Sequence, residues 1–483
     1  MKRAEFIRAG AIAGGGLLVA ADVVLAGKAA LAAGGAAGTP WVAITPDNVV
    51  TIMSPQSEMG QGVMTSIPML VAEELDCDWS AAKIVQSPTE AAFNHPFFGT
   101  MATGGSTSVR AFFLPARKVG ASARAMLVAA AAQQWNVAAA DCRTENNYVF
   151  HDPSGKKASY GSLAAAAAAI APPTDVALKP RERWKLLGKP TPRVDARAKS
   201  TGKAIFGIDV RVPGMMFAAV RHCPVFGGTV ASINEASLAK YKWPHHVVNL
   251  KNAVAVVSDR TWRARTAAEA LDVKWNPGPA ATLNDAQIAA MFRAGLSENG
   301  KVAKSAGDPD AALKSAAKVV KAEYRVPYLA HATMEPMNCT ASVTADSCEI
   351  WAPTQNPGNL PQLAAQITGL PAEKVSVHTT FLGGGFGRRF NFDYPAQAVA
   401  VSKAIGKPVQ ILWSREEDIQ HDQYRPASLA ALTAGLDANG NLVAWRQRIV
   451  QPSIVGQNPG LQMLFNLKPG QADPTSVEGS AEI

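Results

Sequence analysis

The chain has 483 residues, of which 48% are hydrophobic and 18% charged, a composition typical of folded globular domains. Its formal net charge is +9, but the basic residues are scattered and form no run of five, so the charge does not indicate a nucleic-acid partner. The five cysteines form no C-x-x-C pair and no iron–sulfur ligand spacing, so any such cluster has to sit on another chain: Cys77, Cys142, Cys223, Cys339 and Cys348.

Residues 1–35 have the pattern of an export signal. A basic start is followed by a small, mildly apolar stretch with a candidate cleavage site at Ala30-Leu31-Ala32. Phe6-Ile7-Arg8 matches the tail of the twin-arginine pattern, although Ala4 stands where the second arginine is expected. We therefore predict a protein on the exported side of the membrane, either periplasmic or membrane-associated. The alternative is a disordered leader on a cytoplasmic protein.

The first domain is predicted over residues 40–175. Residues 42–53 read as a hairpin, and residues 57–75 as a loop followed by a helix. In that loop Gln61 stands between Gly60 and Gly62, where a primary amide donates and accepts hydrogen bonds while the backbone comes close to a ligand. A solvent-exposed turn ahead of a helix would have the same sequence, so both interpretations stay open.

A second glycine-rich turn precedes a helix predicted over about 110–135. Gly104, Gly105, Ser106 and Thr107 offer backbone N–H groups and hydroxyls that suit a phosphate at a helix start. A simple capping turn explains the same residues. The alanine run at 164–169 and the proline pair after it indicate a helix end and a linker.

The second domain is predicted over residues 185–280. Residues 201–222 alternate like strands around a Pro-Gly turn, and residues 252–275 read as strand, helix, strand. His222, His245 and His246 have no H-E-x-x-H partner, so they are interpreted as surface or structural residues rather than zinc ligands.

The third domain, over residues 300–483, contains the most distinctive stretch, FLGGGFGRRFNFD at 381–393. An alternating segment precedes it and a helix with a glycine stop follows it, so the glycines lie between a strand and a helix. The spacing fits neither G-x-G-x-x-G nor the G-x-x-x-x-G-K-[ST] phosphate loop. A tight turn and a loop for an anionic ligand are about equally supported by the glycines, and Arg388 and Arg389 favour the ligand.

Together, LGGGFGRR, EMGQG, TGGSTSV and HATMEP resemble the molybdenum-binding subunits of the xanthine dehydrogenase and aldehyde oxidase family. The EMGQG-like piece precedes the GGGFG-like piece, which is similar to the isoquinoline 1-oxidoreductase beta-subunit type. The resemblance implies an α+β fold with mixed sheets. Two molybdopterin-binding segments, 40–175 and 300–483, would be separated by a small α/β hammerhead domain at 185–280.

The resemblance also implies a molybdenum–molybdopterin cofactor, in the cytosine dinucleotide form, with no metal ligand from side chains. Arg425 would face the substrate, an aldehyde or an N-heterocycle, and Glu335 would have a structural role. Electrons would pass to a small iron–sulfur subunit and from there to a cytochrome acceptor. The cofactor-binding residues carried over from the family motifs are Gln61, Gly62, Gly104, Gly105, Ser106, Thr107, Gly384, Gly385, Phe386, Gly387 and Arg388.

The G-x-G-E motif that carries the family's catalytic base does not occur in residues 1–483. The sequence is therefore expected to be C-terminally incomplete relative to the family and inactive by itself. The alternative function is a non-catalytic truncated or split chain that binds only the cofactor or a partner.

Overall fold

The computed structural model describes residues 7–12, 16–21, 41–173 and 175–458, with 461, 462, 465, 467, 468, 471 and 473–477 near the end. Its strands are Ile7–Ile12 (β1), Gly16–Ala21 (β2), Val42–Ile44 (β3), Val50–Ser54 (β4), Lys83–Gln86 (β5), Cys142–Glu145 (β6), Tyr148–His151 (β7), Lys156–Ser159 (β8), Met216–His222 (β9), Thr229–Asn234 (β10), His245–Asn249 (β11), Ala253–Ser258 (β12), Asp272–Asn276 (β13), Lys318–Val326 (β14), Asn338–Val343 (β15), Cys348–Ala352 (β16), Val375–Thr379 (β17), Val409–Leu412 (β18), Ser428–Leu436 (β19) and Leu442–Val450 (β20).

Its α-helices are Val63–Leu75 (α1), Ser108–Trp135 (α2), Tyr160–Ala168 (α3), Ala196–Ser200 (α4), Thr261–Ala270 (α5), Asp285–Gly295 (α6), Pro309–Ser315 (α7), Leu360–Thr368 (α8), Asp393–Ile405 (α9), Arg415–Gln420 (α10), Ile454–Gln457 (α11) and Pro474–Val477 (α12). None of the helices in the described part of the chain combines the length and apolar character needed to cross a bilayer.

The first of two compact units consists of Met1–Pro213 and Asn338–Gly385. Its five-stranded sheet has the order β1-β2-β3-β4-β5, in which only the pair β4–β5 is parallel. Strands β6-β7-β8 form an antiparallel meander, whereas β15-β16-β17 combine an antiparallel with a parallel pair. Helices α1 and α2 contribute most of the buried apolar side chains that cover this sheet, including Ile67, Val71 and Phe112.

The second unit consists of Gly214–Met337 and Phe386–Ile483. Strands β11, β12 and β9 are antiparallel neighbours, and β9 pairs in parallel with β18. Strands β10 and β13 form a separate antiparallel pair, and β14-β19-β20 form an antiparallel sheet. Parallel and antiparallel pairs therefore occur in both units, which confirms the predicted α+β class with mixed sheets. The contiguous segments 40–175, 185–280 and 300–483 remain the sequence-based prediction of the domains.

The alternating segment before Pro213 is not a strand, so that prediction is wrong. Residues 207–209 form a turn of 3-10 helix, and the strand begins only at Met216. The Asp209 carboxylate accepts the Phe206 N–H at 3.0 Å, and the Asp209 N–H donates to the Phe206 carbonyl at 3.1 Å. This local pairing uses backbone groups that a strand would need for its ladder.

Part of the predicted export leader lies among the described residues. There, β1 pairs with β2 and β2 pairs with β3, both antiparallel. The candidate cleavage site at 30–32 lies outside the described residues. Export therefore stays a prediction.

Gly120 in α2 faces α1 at very short range. A Cβ atom built on Gly120 would lie 2.2 Å from the Val71 carbonyl oxygen and 3.0 Å from the Glu74 Cβ. The contact involves backbone, which cannot move aside as the end of a flexible side chain can. The close approach of α1 and α2 therefore depends on a glycine at this position.

We expect Gly120→Ala to destabilise the chain by about 1–3 kcal/mol, because overpacking outweighs the ~1 kcal/mol gained in helix propensity. Urea unfolding measures this as a lower midpoint. Gly300→Ala, outside the helices, is the control for an added methyl group without a contact, since Gly300 has no atom within 4 Å of the added Cβ and no left-handed backbone. Equal midpoints for the two variants would contradict the packing argument.

Candidate functional site

The glycine-rich stretch lies between β17 and α9, as its sequence predicts. Gly384, Phe386 and Gly387 adopt positive φ angles of 94°, 54° and 98°. A phenylalanine in this region costs about 1–3 kcal/mol and persists only where its surroundings enforce it. The Phe386 side chain is 70% exposed, so its own packing does not explain the strained backbone. The geometry is typical of a loop shaped for a ligand.

In the first unit, Gly385 brings this stretch against two other loops. A Cβ atom built on Gly385 would lie 2.5 Å from Met59 Sδ and 2.7 Å from Gln355 Oε1. Gly385 is not in the left-handed region, so what requires glycine here is the close approach of those two side chains. Loop 382–385 therefore packs on loops 57–62 and 354–356.

Hydrogen bonds join these loops to the fourth one, 103–107. Thr103 N–H donates to the Gln355 carbonyl at 2.8 Å, and Gln355 Nε2 donates to the Thr103 carbonyl at 3.0 Å. Ser57 N–H donates to Thr103 Oγ1 at 3.0 Å, and Leu382 N–H donates to the Glu58 carbonyl at 3.1 Å. Stretches far apart in sequence thus form one continuous loop cluster, which we call the four-loop cluster (57–62, 103–107, 354–356 and 382–385).

The 57–62 loop is organised by the buried carboxylate of Glu58. It accepts the backbone N–H groups of Gly60, Gly62 and Met64 at 2.9, 3.1 and 3.0 Å. Gln61 folds back, donating to the Ser57 carbonyl at 2.9 Å and accepting the Met59 N–H at 2.8 Å. The Gln61 amide is thus engaged within its own loop, and a contact to a cofactor stays a prediction.

The 103–107 loop is a tight turn at the start of α2. Gly105 and Ser106 have φ angles of 58° and 51° and are exposed. The Thr107 hydroxyl is buried, where it donates to the Gly104 carbonyl and contacts His95 Nε2, each at 2.8 Å. Of the predicted phosphate contacts, the Thr107 hydroxyl is already used by the protein. The roles of Gly104, Gly105 and Ser106 stay predictions.

Two buried polar atoms of the four-loop cluster have no hydrogen-bond partner among the described residues, Ser57 Oγ and Asn356 Nδ2. An unpaired buried polar group costs about 1–3 kcal/mol, so such atoms usually mark a ligand or an ordered water. The open space beside Gly60 and Gly62 adds backbone that a ligand can approach. These features fit a large polar cofactor bearing hydrogen-bonding and anionic groups.

In the second unit, the arginines after the glycines are buried in ion pairs. Arg388 Nη1 and Nη2 donate to Asp393 at 3.1 and 2.8 Å, and its Nε lies 2.9 Å from Asp422 Oδ1. Arg389 Nη2 lies 3.2 Å from a Glu335 carboxylate oxygen, an ion pair that agrees with the structural role expected for Glu335. The structure thus gives Arg388 an anchoring role at the end of the loop. Its contact with a cofactor stays a prediction.

Arg425 is exposed, as a substrate-facing residue would be. Its backbone pairs with Leu329 in both directions, at 2.9 and 3.2 Å. This bridge holds the Arg425 segment beside the HATMEP segment. The role of Arg425 toward substrate stays a prediction.

His222 has partners that the sequence interpretation missed. Its Nδ1 lies 2.7 Å from Glu417 Oε2, and His421 Nε2 lies 3.4 Å from the same oxygen. The four-residue spacing of Glu417 and His421 was an available signal for a shared helix face. Burial lowers the pKa of His421 to about 4, so its imidazole is neutral near pH 7.

These three groups could hold a metal ion, since their ligand atoms lie within 4.8 Å of one another. However, Trp413 Nε1 can only donate, and it donates to Gln397 Oε1 at 2.9 Å. Gln397 Nε2 then donates to His222 Nε2 at 2.8 Å, which leaves the proton of His222 on Nδ1 for Glu417. A metal on Nδ1 would displace that proton and break the hydrogen bond to Glu417. We therefore assign His222, Glu417 and His421 a structural role.

Arg193 links the 57–62 loop to Asp195. It donates to a Glu58 carboxylate oxygen at 2.9 Å and to the Gly60 carbonyl at 2.6 Å, and it binds Asp195 at 3.0 and 2.7 Å. Burial opposes ionisation of Asp195, but hydrogen bonds from Arg193 and Lys199 prevail and lower its pKa from 3.8 to about 2. The loop therefore depends on an ionised Asp195.

A carboxylate whose pKa is lower in the folded than in the unfolded protein stabilises the fold at pH values above its unfolded pKa. This contribution is lost as the pH falls through the folded-state pKa. We expect Asp195→Asn to lower the free energy of unfolding near neutral pH, with the deficit shrinking as the pH falls from 3.8 to about 2. Urea titrations across this range measure it. Asp346→Asn, in an exposed turn, is the control for the same charge change. A deficit that stays constant down to the lowest pH would contradict the assignment.

Comparisons with known proteins agree with this geometry. Residues 2–212 and residues 295–453 each match a molybdopterin cofactor-binding domain. The chain is 31% identical over 465 residues to the beta subunit of isoquinoline 1-oxidoreductase from Brevundimonas diminuta, covering 86% of this chain and 59% of that protein.

Two further relatives are similar over most of the chain. Membrane-bound aldehyde dehydrogenase [pyrroloquinoline-quinone] of Gluconacetobacter polyoxogenes is 30% identical, with 84% of this chain and 54% of that protein covered. A nicotinate dehydrogenase subunit of Pseudomonas putida is 28% identical, with 86% and 35% covered. The chain thus spans between about one third and three fifths of the length of these relatives. It belongs to the molybdopterin-binding subunits of the xanthine dehydrogenase and aldehyde oxidase family.

Proposed function

We propose that this chain is the molybdopterin-binding part of an oxidoreductase that hydroxylates an aldehyde or an N-heterocyclic aromatic carbon. The four-loop cluster carries the proposal, because it joins four separate stretches around Gly385 and leaves Ser57 Oγ and Asn356 Nδ2 unpaired among the described residues. Two relatives are named isoquinoline 1-oxidoreductase and nicotinate dehydrogenase, and these names support the substrate class.

In this function the bound cofactor supplies the two-electron oxidation of a C–H group and the transfer of an oxygen atom that derives from water. The protein's task is to bind the cofactor and to orient and polarise the substrate. Polar groups of the cofactor would be held by three backbone stretches, at Gln61 and Gly62, from Gly104 to Thr107, and from Gly384 to Gly387. The exposed guanidinium of Arg425 would stabilise negative charge that develops on the substrate.

Further parts of the proposal follow from the family alone. The cofactor would be the cytosine dinucleotide form, and the electron acceptor a small iron–sulfur subunit followed by a cytochrome. The cysteines of this chain have no cluster-binding spacing, which supports a separate electron-carrying chain. The twin-arginine-like start supports export of the folded complex.

The acidic residues near the loops are already engaged. Glu58 accepts three backbone N–H groups and pairs with Arg193 at 2.9 Å. Glu335 pairs with Arg389. Neither carboxylate is positioned as a free proton acceptor, and no G-x-G-E motif occurs in residues 1–483.

Cofactor retention tests the role of the four-loop cluster. We expect Gly385→Ala to lower the molybdenum content of the purified complex, because overpacking of about 1–3 kcal/mol would weaken binding by roughly 5–150-fold. Met59→Ala added to this variant should restore part of the molybdenum, since it removes the Sδ atom that the new Cβ would meet at 2.5 Å but leaves Gln355 Oε1 at 2.7 Å.

Met59→Ala alone is the control for that double variant. Equal molybdenum in Gly385→Ala and the parent would contradict a role for the cluster. A double variant as empty of molybdenum as Gly385→Ala would mean that the remaining contact of the new Cβ with Gln355 Oε1, at 2.7 Å, is enough to prevent cofactor binding.

Turnover tests the reaction. The complete enzyme, purified from its host with its partners, is expected to contain molybdenum and iron and to oxidise aldehydes or N-heterocycles, with oxygen from labelled water in the product. Mass spectrometry of the product measures this. A molybdenum-containing complex that never carries iron and never turns over would favour the non-catalytic alternative.

A further inference from the structure

His331 lies in the HATMEP segment, close to Gly387, and both residues belong to the second unit. A Cβ atom built on Gly387 would lie 3.9 Å from His331 Nε2. The geometry points to a proton-accepting role for His331 at this site, with Asp422 as its positioning residue. This inference rests on the proposed function and deepens it.

The hydrogen bonds fix which nitrogen of His331 carries a proton. Its Nδ1 lies 3.1 and 3.0 Å from the two carboxylate oxygens of Asp422, so Nδ1 donates. No described residue forms a hydrogen bond with His331 Nε2, and the side chain is 16% exposed. A neutral His331 therefore presents an unshared lone pair on Nε2 beside Gly387.

Asp422 is held from several sides. It accepts the backbone N–H of His331 and that of Gln423, the latter at 2.7 Å. Arg388 Nε lies 2.9 Å from it, and Asp393 fixes the other end of the guanidinium. Burial opposes ionisation, but the bonds from His331 and the charge of Arg388 prevail and lower the pKa of Asp422. An ionised, immobile carboxylate both orients an imidazole and stabilises its protonated form.

The other charged groups near His331 already have partners or face solvent. Arg425 is exposed on the segment that pairs with Leu329, and Arg415 donates to the Met334 carbonyl at 2.8 Å. The ionisable groups of the elements packed around His331 are Asp422, Arg388, Asp393, Glu335, Arg389, Arg415, Asp418, Tyr328, Tyr424 and Arg425. Among the residues that the structure describes, Asp422 is the one whose ion pair with the imidazole is seen.

The proposed reaction needs such a group. Conversion of C–H to C–OH with water breaks one C–H and one O–H bond, forms one C–O bond, and releases two electrons and two protons. The electrons go to the iron–sulfur partner. Each proton needs an acceptor, and a single carboxylate base takes only one at a time. His331 Nε2 would accept a proton and pass it to solvent, because the imidazole is partly exposed.

A purely structural role is separable from this one. The segment is anchored to Asp422 through the His331 backbone N–H, which a substitution by glutamine keeps. Replacement of the side chain therefore removes the Nε2 lone pair while the backbone anchor remains.

The first test needs no turnover. Diethyl pyrocarbonate modifies unprotonated, accessible imidazole nitrogens, and peptide mass spectrometry locates the modified histidine. We expect His331 in the purified chain to react at least about ten times faster than His222, whose Nε2 is bonded to Gln397 and buried. Asp422→Asn should change the rate at His331 and leave that at His222 unchanged. If His331 reacts no faster than His222, the inference that His331 Nε2 carries an accessible lone pair is wrong.

The second test uses the complete enzyme. We expect His331→Gln to lower kcat by about 10²–10⁴-fold with molybdenum content unchanged. Asp422→Asn should cause a smaller loss, and His246→Gln, on the exposed face of β11, should match the parent.

Parent-like kcat in His331→Gln, or a loss proportional to missing molybdenum, would overturn the proposal. A parent enzyme that does not turn over would refute the proposed function and, with it, a catalytic use of His331. In that case fast modification of His331 by diethyl pyrocarbonate would show that its Nε2 is accessible but does not serve the proposed reaction.

Discussion

The absence of a side chain at Gly385 is the constraint on which the first unit's candidate site depends. The backbone there comes so close to Met59 and Gln355 that even a methyl group would have to displace one of them. That contact fixes loop 382–385 against 57–62 and 354–356, and the reciprocal bonds between Thr103 and Gln355 add 103–107. Polar backbone from four distant stretches is thereby concentrated in one place, which a large anionic cofactor requires.

The second unit holds its own candidate residues in place by buried charge. Arg388 and Arg389 are almost fully buried, and each has a carboxylate partner, so their removal would leave unpaired buried charges. These pairs fix the chain directly after Phe386 and Gly387, where the backbone is strained. They also immobilise Asp422, and through it His331, so that structural ion pairing and proton chemistry depend on the same carboxylate.

Local pattern was sufficient for much of this arrangement. Alternation before the glycines and a glycine stop after them predicted β17 and α9, because side-chain period and capping are local properties. The loops at 57–62 and 103–107 were also found, since glycine next to a helix start is visible in sequence. The pairing of Asp422 with His331, 91 residues apart, was not, because no local pattern encodes it. The strand predicted before Pro213 failed because Asp209 satisfies the Phe206 N–H locally.

The central claim, that the four-loop cluster holds a molybdopterin cofactor, is tested most directly by hydrogen–deuterium exchange. Deuterium uptake would be compared between the complex with its cofactor and the same complex after cofactor removal. We expect slower uptake with cofactor in peptides covering 57–62, 103–107, 354–356 and 382–385, and unchanged uptake in β10 and β13. Unchanged uptake in all four loops, despite full molybdenum occupancy, would contradict cofactor binding at the four-loop cluster.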